Sequence, residues 1–162
     1  MSVARIATPL GPLWLRGTEA AITHSWLPDE DGGGDPGWGP DEADALPEAR
    51  AQVEGYFDGT RDAFDLPLAP EGSAFQRRVW DALRAIPRGE TRSYGQIARA
   101  LGDRGAARAV GAANGANPIP LLIPCHRVVA ADGTLGGFSG SLAVKAALLA
   151  HEGAWPRQPS FL

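Results

Sequence analysis

Two copies of one short device fix helix starts in the second half of the chain. Ser73-x-x-Gln76 and Ser93-x-x-Gln96 are capping boxes, in which the serine hydroxyl and the glutamine amide satisfy donors that a helix start leaves open. After the first, Phe75, Val79, Leu83 and Ile86 keep to one face, and Pro87 and Gly89 stop the helix. The second predicts a short helix, Tyr94 to Ala100, with Gly102 as its stop. Asp103, Arg104 and Gly105 then lead into Ala106 to Asn114, closed by Gly115. Two short helices joined by a glycine turn make a helix-turn-helix. A last helix is expected from Leu142 to His151.

The first half reads differently. Leu13, Trp14 and Leu15, a Gly17/Thr18 turn, and Ile22 to Leu27 predict an antiparallel strand pair. From Asp29 to Glu42, five glycines, two prolines and six acids predict a flexible loop, with Trp38 able to dock back on the body. Pro47 suits a first helical turn, and Leu46, Val53, Tyr56 and Phe57 give a short helix its apolar face, ended at Asp58-Gly59. Phe64, Leu66 and Leu68 alternate with Asp65 and Pro67, as in an edge strand or linker. The boundary is expected near residue 70: an N-terminal α/β domain over 1–70 with its loop at 29–42, a C-terminal domain over 71–156, and a tail at 157–162.

Length and composition limit the class. At 162 residues, 44% hydrophobic and 21% charged, the chain has globular composition. No apolar run nears the roughly 20 residues that cross a bilayer, and the N-terminus lacks a signal-peptide core. The expectation is a cytoplasmic protein with no membrane partner. A single cysteine, Cys125, excludes an internal disulfide and any multi-cysteine zinc site, and no metal or cofactor is expected. The net charge of −4 hides a segregation. Residues 1–72 hold four arginines against fourteen acids (−10), and residues 73–127 hold nine against three (+6). The middle third is an electrostatic footprint for phosphates.

The helix AARAVGAAN carries almost nothing but Ala and Gly around Arg108. A major-groove reader presents several polar side chains to base edges; this helix suits sequence-indifferent insertion along a minor groove, with nearby arginines on phosphates. In NPIPLLIPCHRV, Asn117-Pro118 makes a turn, Leu121 to Ile123 a buried run, and Pro124 stiffens the frame ahead of Cys125. His126 and Arg127 provide basic surroundings that raise the thiolate fraction of a thiol. In extended backbone adjacent side chains diverge, so a water is expected to link His126 to Cys125.

NPIPLLIPCHRVV, preceded by the helix-turn-helix and followed by GTLGGFSGSLAVKAALLAHEG, resembles the O6-alkylguanine-DNA alkyltransferases, the methylated-DNA-protein-cysteine methyltransferases. The resemblance covers about residues 73–155, and PLGPLWL and FDLPL extend it weakly into the first half. It implies a ribonuclease-H-like N-terminal domain and a mostly helical C-terminal domain with a winged helix-turn-helix. It also implies a single-turnover repair reaction in which an alkyl group from O6-alkylguanine, or O4-alkylthymine, moves to the protein's own cysteine. The implied partner is alkylated duplex DNA, met by a monomer through the minor groove with little sequence specificity.

By position, the resemblance makes Cys125 the acceptor, His126 its general base through water, and Glu152 the carboxylate that orients the histidine. Asn117 braces the turn, and Tyr94 donates a proton to the departing guanine. Arg108 fills the space of the extruded nucleotide, with Ala106, Ala107, Gly111, Asn114 and Arg127 also at the DNA. Val128, Gly136, Phe138, Ser139 and Gly140 wall the base pocket. Phe138 stands where the family commonly has tyrosine, and the first half lacks the cysteines of relatives that bind zinc. Three rivals share some of these features. An alkyltransferase-like lesion sensor lacks the acceptor cysteine, a transcriptional helix-turn-helix protein carries a polar recognition helix, and a cysteine hydrolase turns over.

Overall fold

The computed structural model describes residues 1–29, 31–136 and 141–155. The chain forms a mixed α/β structure of two compact units. One comprises Met1–Glu71 together with Pro118–Leu122, and the other runs from Gly72 to Asn117 and on from Ile123.

In the first unit, β1 (Ser2–Thr8), β2 (Gly11–Gly17) and β3 (Ile22–Trp26) form an antiparallel sheet in that order. The expected pair is β2 and β3, and β1 adds a strand in front of it, in register from Ser2 opposite Gly17 to Thr8 opposite Gly11. Val3, Ala4, Ile6, Leu13, Trp14 and Leu15 are buried. The helix α1 (Pro47–Asp58) has Pro47 in its first turn and ends on Gly59 at φ 85°, a left-handed conformation that glycine adopts without strain. It buries Val53 and Tyr56, and its Gln52 amide bonds the backbone of Asp65 in both directions, at 3.1 and 2.8 Å.

Residues 64–68 do not extend into a strand. A single bridge joins Leu68 to Ile22, because Pro67 has a carbonyl to offer Ile22 but no N–H. Segment 29–42 carries contacts that its composition does not announce. The Asp29 carboxylate accepts from the backbone of Asp31 and Gly33, Trp14 Nε1 donates to Gly34 O, and the Arg16 guanidinium lies 4.8 Å from the Trp38 ring centre. Asp41 and Glu42 accept from the N–H groups of Arg5 and Val3. These donors belong to β1, an outer strand of the sheet, so two carboxylates occupy part of an edge that would otherwise invite another strand.

In the second unit, α2 (Ala74–Arg84) starts at Ser73 with both halves of the capping box formed. The same holds at Ser93 for α3 (Tyr94–Ala100). A short 3-10 turn at Arg104–Ala106 leads into α4 (Ala107–Gly115), one residue later than the sequence predicts. Trp80 on α2 is buried and donates from Nε1 to Ala113 O at 2.8 Å, locking α2 to α4. Strands β4 (Arg92–Ser93) and β5 (Val128–Val129) pair in parallel, Arg92 with Val128 and Ser93 with Val129. The helix α5 (Leu142–His151) begins at Ser141, whose hydroxyl accepts from Ala143 and Val144 N–H. Among the described residues no helix is long and apolar enough to cross a membrane.

Candidate active site around Cys125

Three proline-bearing steps bring the chain to Cys125. Asn117 Nδ2 donates to Ile123 O at 2.8 Å, closing the Asn-Pro turn on itself, and Leu121 sits at φ 75°, a strained value for a branched residue. Pro124, at φ −79° and ψ 64°, forms an inverse γ-turn in which Cys125 N–H donates to Ile123 O at 2.7 Å. Cys125, His126 and Arg127 then make one 3-10 turn, not the extended backbone expected from sequence. The turn is closed by Arg127 N–H on Pro124 O, and all three residues are buried.

Behind the cysteine lies a buried charged chain. His126 Nε2 is 2.8 Å from Glu152 Oε2, and Arg127 grips the same carboxylate twice, Nε to Oε1 and Nη2 to Oε2, both at 2.9 Å. A third donor, Arg127 Nη1, bonds Ile86 O at 2.7 Å just past α2. Burial pushes the Glu152 carboxyl up, but the hydrogen bonds from His126 and Arg127 and the Arg127 charge outweigh it, and it stays ionised below the usual carboxylate range. Burial pulls His126 down more strongly than Glu152 raises it, so the ring is neutral at pH 7. A neutral ring beside a carboxylate donates Nε2–H to it, which leaves Nδ1 as a lone-pair acceptor. That Nδ1 is buried and has no hydrogen-bond partner among the described residues.

Tyr94 opens α3 directly after the strand residue Ser93, and the β4–β5 pairing therefore brings it beside the chain that leaves Cys125. A Cβ on Gly111 would lie 3.8 Å from its ring, and one on Gly136, at φ 69°, would lie 3.0 Å from its hydroxyl. The glycines let two stretches of backbone close on one tyrosine. Val128 is fully buried, and Phe138, Ser139 and Gly140 lie outside the described residues.

On α4, Arg108, Ala109 and Ala112 are exposed, Ala107 and Gly111 are half-buried, and Ala106 is buried. Two residues expected at the DNA turn inward instead. Asn114 is 2% exposed, with Nδ2 3.4 Å from Cys125 O, because it sits on the core side of α4 with Val110 and Ala113. Arg127 is committed to Glu152 and Ile86, so its guanidinium has no donors to spare for a phosphate.

One residue escaped the reading of the sequence. Lys145 on α5 is 0% exposed, and its ammonium donates to Val128 O at 2.7 Å and Leu135 O at 2.5 Å. A signal was present, since among 15 Lys and Arg residues it is the one lysine. No group of three or more His, Cys, Asp or Glu among the described residues could hold a metal ion.

Fold and site together define a protein built around one buried thiol, followed along the chain by a buried histidine–carboxylate–arginine cluster, in a unit that also carries the short helices α3 and α4. Comparison with known proteins makes the class specific. Residues 74–154 match the DNA binding domain of 6-O-methylguanine DNA methyltransferase, and residues 1–70 match its ribonuclease-like domain. A methylated-DNA–protein-cysteine methyltransferase of Mycolicibacterium paratuberculosis is 47% identical, over 91% of this chain and 89% of its own length. One from Methanosarcina acetivorans is 42% identical, over 95% and 99%. The crystal structure of Mycobacterium tuberculosis OGT in complex with DNA superposes with a TM-score of 0.85 at 43% identity, covering 94% of this chain and 93% of that one. The chain belongs to the 6-O-methylguanine DNA methyltransferase family.

Proposed function

We propose that the chain repairs DNA by moving an alkyl group from O6 of guanine, and from O4 of thymine, onto Cys125, once per molecule. The observation that carries this reading is the neutral His126 with its unpartnered Nδ1 one residue from the only cysteine, backed by a carboxylate that the Arg127 guanidinium holds ionised. His126 takes the thiol proton through a bridging water, and Glu152 stabilises the imidazolium that forms. The thiolate then attacks the alkyl carbon, so that an S–C bond forms as the C–O bond breaks. The electron pair stays on the guanine oxygen and is drawn into the ring as Tyr94 delivers a proton. A thioether has no easy return to thiolate, and the protein is spent.

The duplex stacks the alkylated oxygen out of reach, so the nucleotide must rotate into a pocket. In this reading α3 and α4 serve as the helix-turn-helix of a winged domain, and the first unit is ribonuclease-H-like. The exposed face of α4, with Ala107 and Gly111 beside it, enters the minor groove, and Arg108 fills the vacated space. Val128 and Gly136 contribute to the pocket with the 138–140 segment. The protein acts as a cytoplasmic monomer with little sequence preference. The Mycobacterium tuberculosis relative that superposes here was crystallised in complex with DNA, which supports the DNA partner.

Intact-protein mass spectrometry after incubation with methylated duplex tests the proposal. One added methyl group, mapped to Cys125 and absent from Cys125→Ser, is the expected result. Repaired DNA beside unmodified protein, or continued turnover, overturns it in favour of a hydrolase-like activity.

A further inference from the structure

Glu152 caps the C-terminal end of α5, and a helix end frays unless its last carbonyls find donors. Gly153, at φ 75°, supplies a Schellman motif, in which Gly153 N–H donates to Ala150 O at 3.0 Å and Ala154 N–H to Leu149 O at 2.8 Å. The next carbonyl, His151 O, lies beyond that motif and accepts from a side chain, Arg88 Nη2 at 3.1 Å. A guanidinium there also meets the negative end of the helix dipole. Arg88 is half-buried and turned to the protein, unlike an arginine held out to phosphate.

The 86–90 turn that carries Arg88 meets the site a second time. Arg127 Nη1 donates to Ile86 O at 2.7 Å, and a Cβ on Gly89, at φ 86°, would lie 3.4 Å from Glu152 O, so turn and helix end meet backbone against backbone. The bonds close a ring. Arg88 holds His151, Glu152 follows His151 in the chain, Arg127 grips the Glu152 carboxylate through Nε and Nη2, and its third donor returns to Ile86. His126 joins that ring through Nε2, 2.8 Å from Glu152 Oε2, and this bond decides which imidazole nitrogen keeps its lone pair. The carboxylate must stay in place for Nδ1 to stay bare.

We propose that Arg88 is a positioning residue for His126: by tying the end of α5 to the 86–90 turn, it holds the Glu152 carboxylate where it fixes the tautomer of the imidazole. Arg88 acts through His151 and Glu152, not on the alkyl group. The proposal rests on the reading of His126 as the base for Cys125, but the tautomer is read without any alkyl group.

Protein labelled with ¹⁵N-histidine gives ring signals from His24, His126 and His151, and those of His126 are the ones retained when the other two are replaced by asparagine. At pH 7 the unsubstituted protein shows Nδ1 at the bare extreme and Nε2 at the protonated one. In Arg88→Met the two signals move toward each other as the Nδ1–H form enters. Arg88→Lys, which keeps a donor of similar reach, returns them to their starting positions. Transfer from free O6-benzylguanine, which needs no DNA, slows about tenfold in Arg88→Met, within the roughly hundredfold that a 1 Å misplacement costs, and recovers in Arg88→Lys. Should Arg88→Met not fold, Arg88→Gln, whose amide is too short to reach His151 O, is read in the same way. His126 signals unmoved in the folded variant overturn the proposal, whatever stability is lost, and leave Arg88 as a cap on α5. An unsubstituted protein that takes no benzyl group overturns the alkyl-transfer reading instead, and the tautomer result still decides the role of Arg88.

Discussion

Glu152 is the residue on which most of the buried polar structure converges, with three donors from two neighbouring side chains. Glu152→Gln leaves the Arg127 guanidinium buried without its anion, and removing one partner of such a pair costs about 3–5 kcal/mol. Urea unfolding at pH 7 should show that loss. The acid side of the stability curve is also determined by these groups. Glu152 is held below its unfolded value of about 4.3, so its contribution is present above that pH and is lost as pH falls through the folded value. His126 is likewise depressed, so below about 6.5 the unfolded chain takes a proton that the folded one refuses, and stability again falls with pH. Wild-type unfolding free energy should therefore decline from about pH 6.5 downward. In Glu152→Gln the curve starts lower and is flatter below about pH 4.3; an acid limb unchanged from wild type would contradict this assignment.

The capping boxes do more than start helices. Ser93 ends β4, caps α3 and precedes Tyr94, so its hydroxyl holds the tyrosine in register with β5. Ser93→Ala should cost about 1 kcal/mol, as loss of an N-cap does, and so should Ser73→Ala at the head of α2. Alkyl transfer measured on a duplex should slow in Ser93→Ala and hold in Ser73→Ala, since α2 carries no member of the site; equal slowing would reduce the effect to stability alone. Both boxes were legible because the signal is local and chemical. The strand β1 was not, since Ser2–Thr8 mixes buried Val3, Ala4 and Ile6 with exposed Arg5 and has no turn residue before Pro9 to mark it. The 3-10 turn at Cys125–Arg127 was missed for another reason. Its geometry comes from Pro124 and from Arg127 reaching Ile86 and Glu152, contacts 41 and 25 residues away along the chain. Cys125, His126 and Glu152 could be named from family motifs, but Arg127 could be assigned only once those distant partners were visible. The same distance effect turned Asn114 inward, where the family resemblance had offered it to DNA.

Taken whole, the chain divides its charge as sharply as its fold, with −10 over residues 1–72 and +6 over residues 73–127. Binding to unrelated duplexes should weaken steeply and alike with added salt, as phosphate contacts do, and fluorescence anisotropy reads it directly. Arg108→Ala should slow repair of duplex far more than reaction with free O6-benzylguanine, because only the duplex requires extrusion; equal slowing would assign Arg108 to folding instead. The first unit also draws five residues, Pro118–Leu122, from far down the chain. There Ser25 N–H meets Pro118 O, and Ser25 Oγ donates to Pro120 O at 2.6 Å. Prolines have no N–H, so this stretch can take bonds from the sheet without asking for any in return. Anyone dividing the gene at the apparent border, near codon 71, would thus separate an acceptor from its donors. The first fragment would lose both acceptors of Ser25 together with the stretch that covers them. A split-protein reporter cut there should stay dark until both pieces are supplied together, the later piece completing the earlier one.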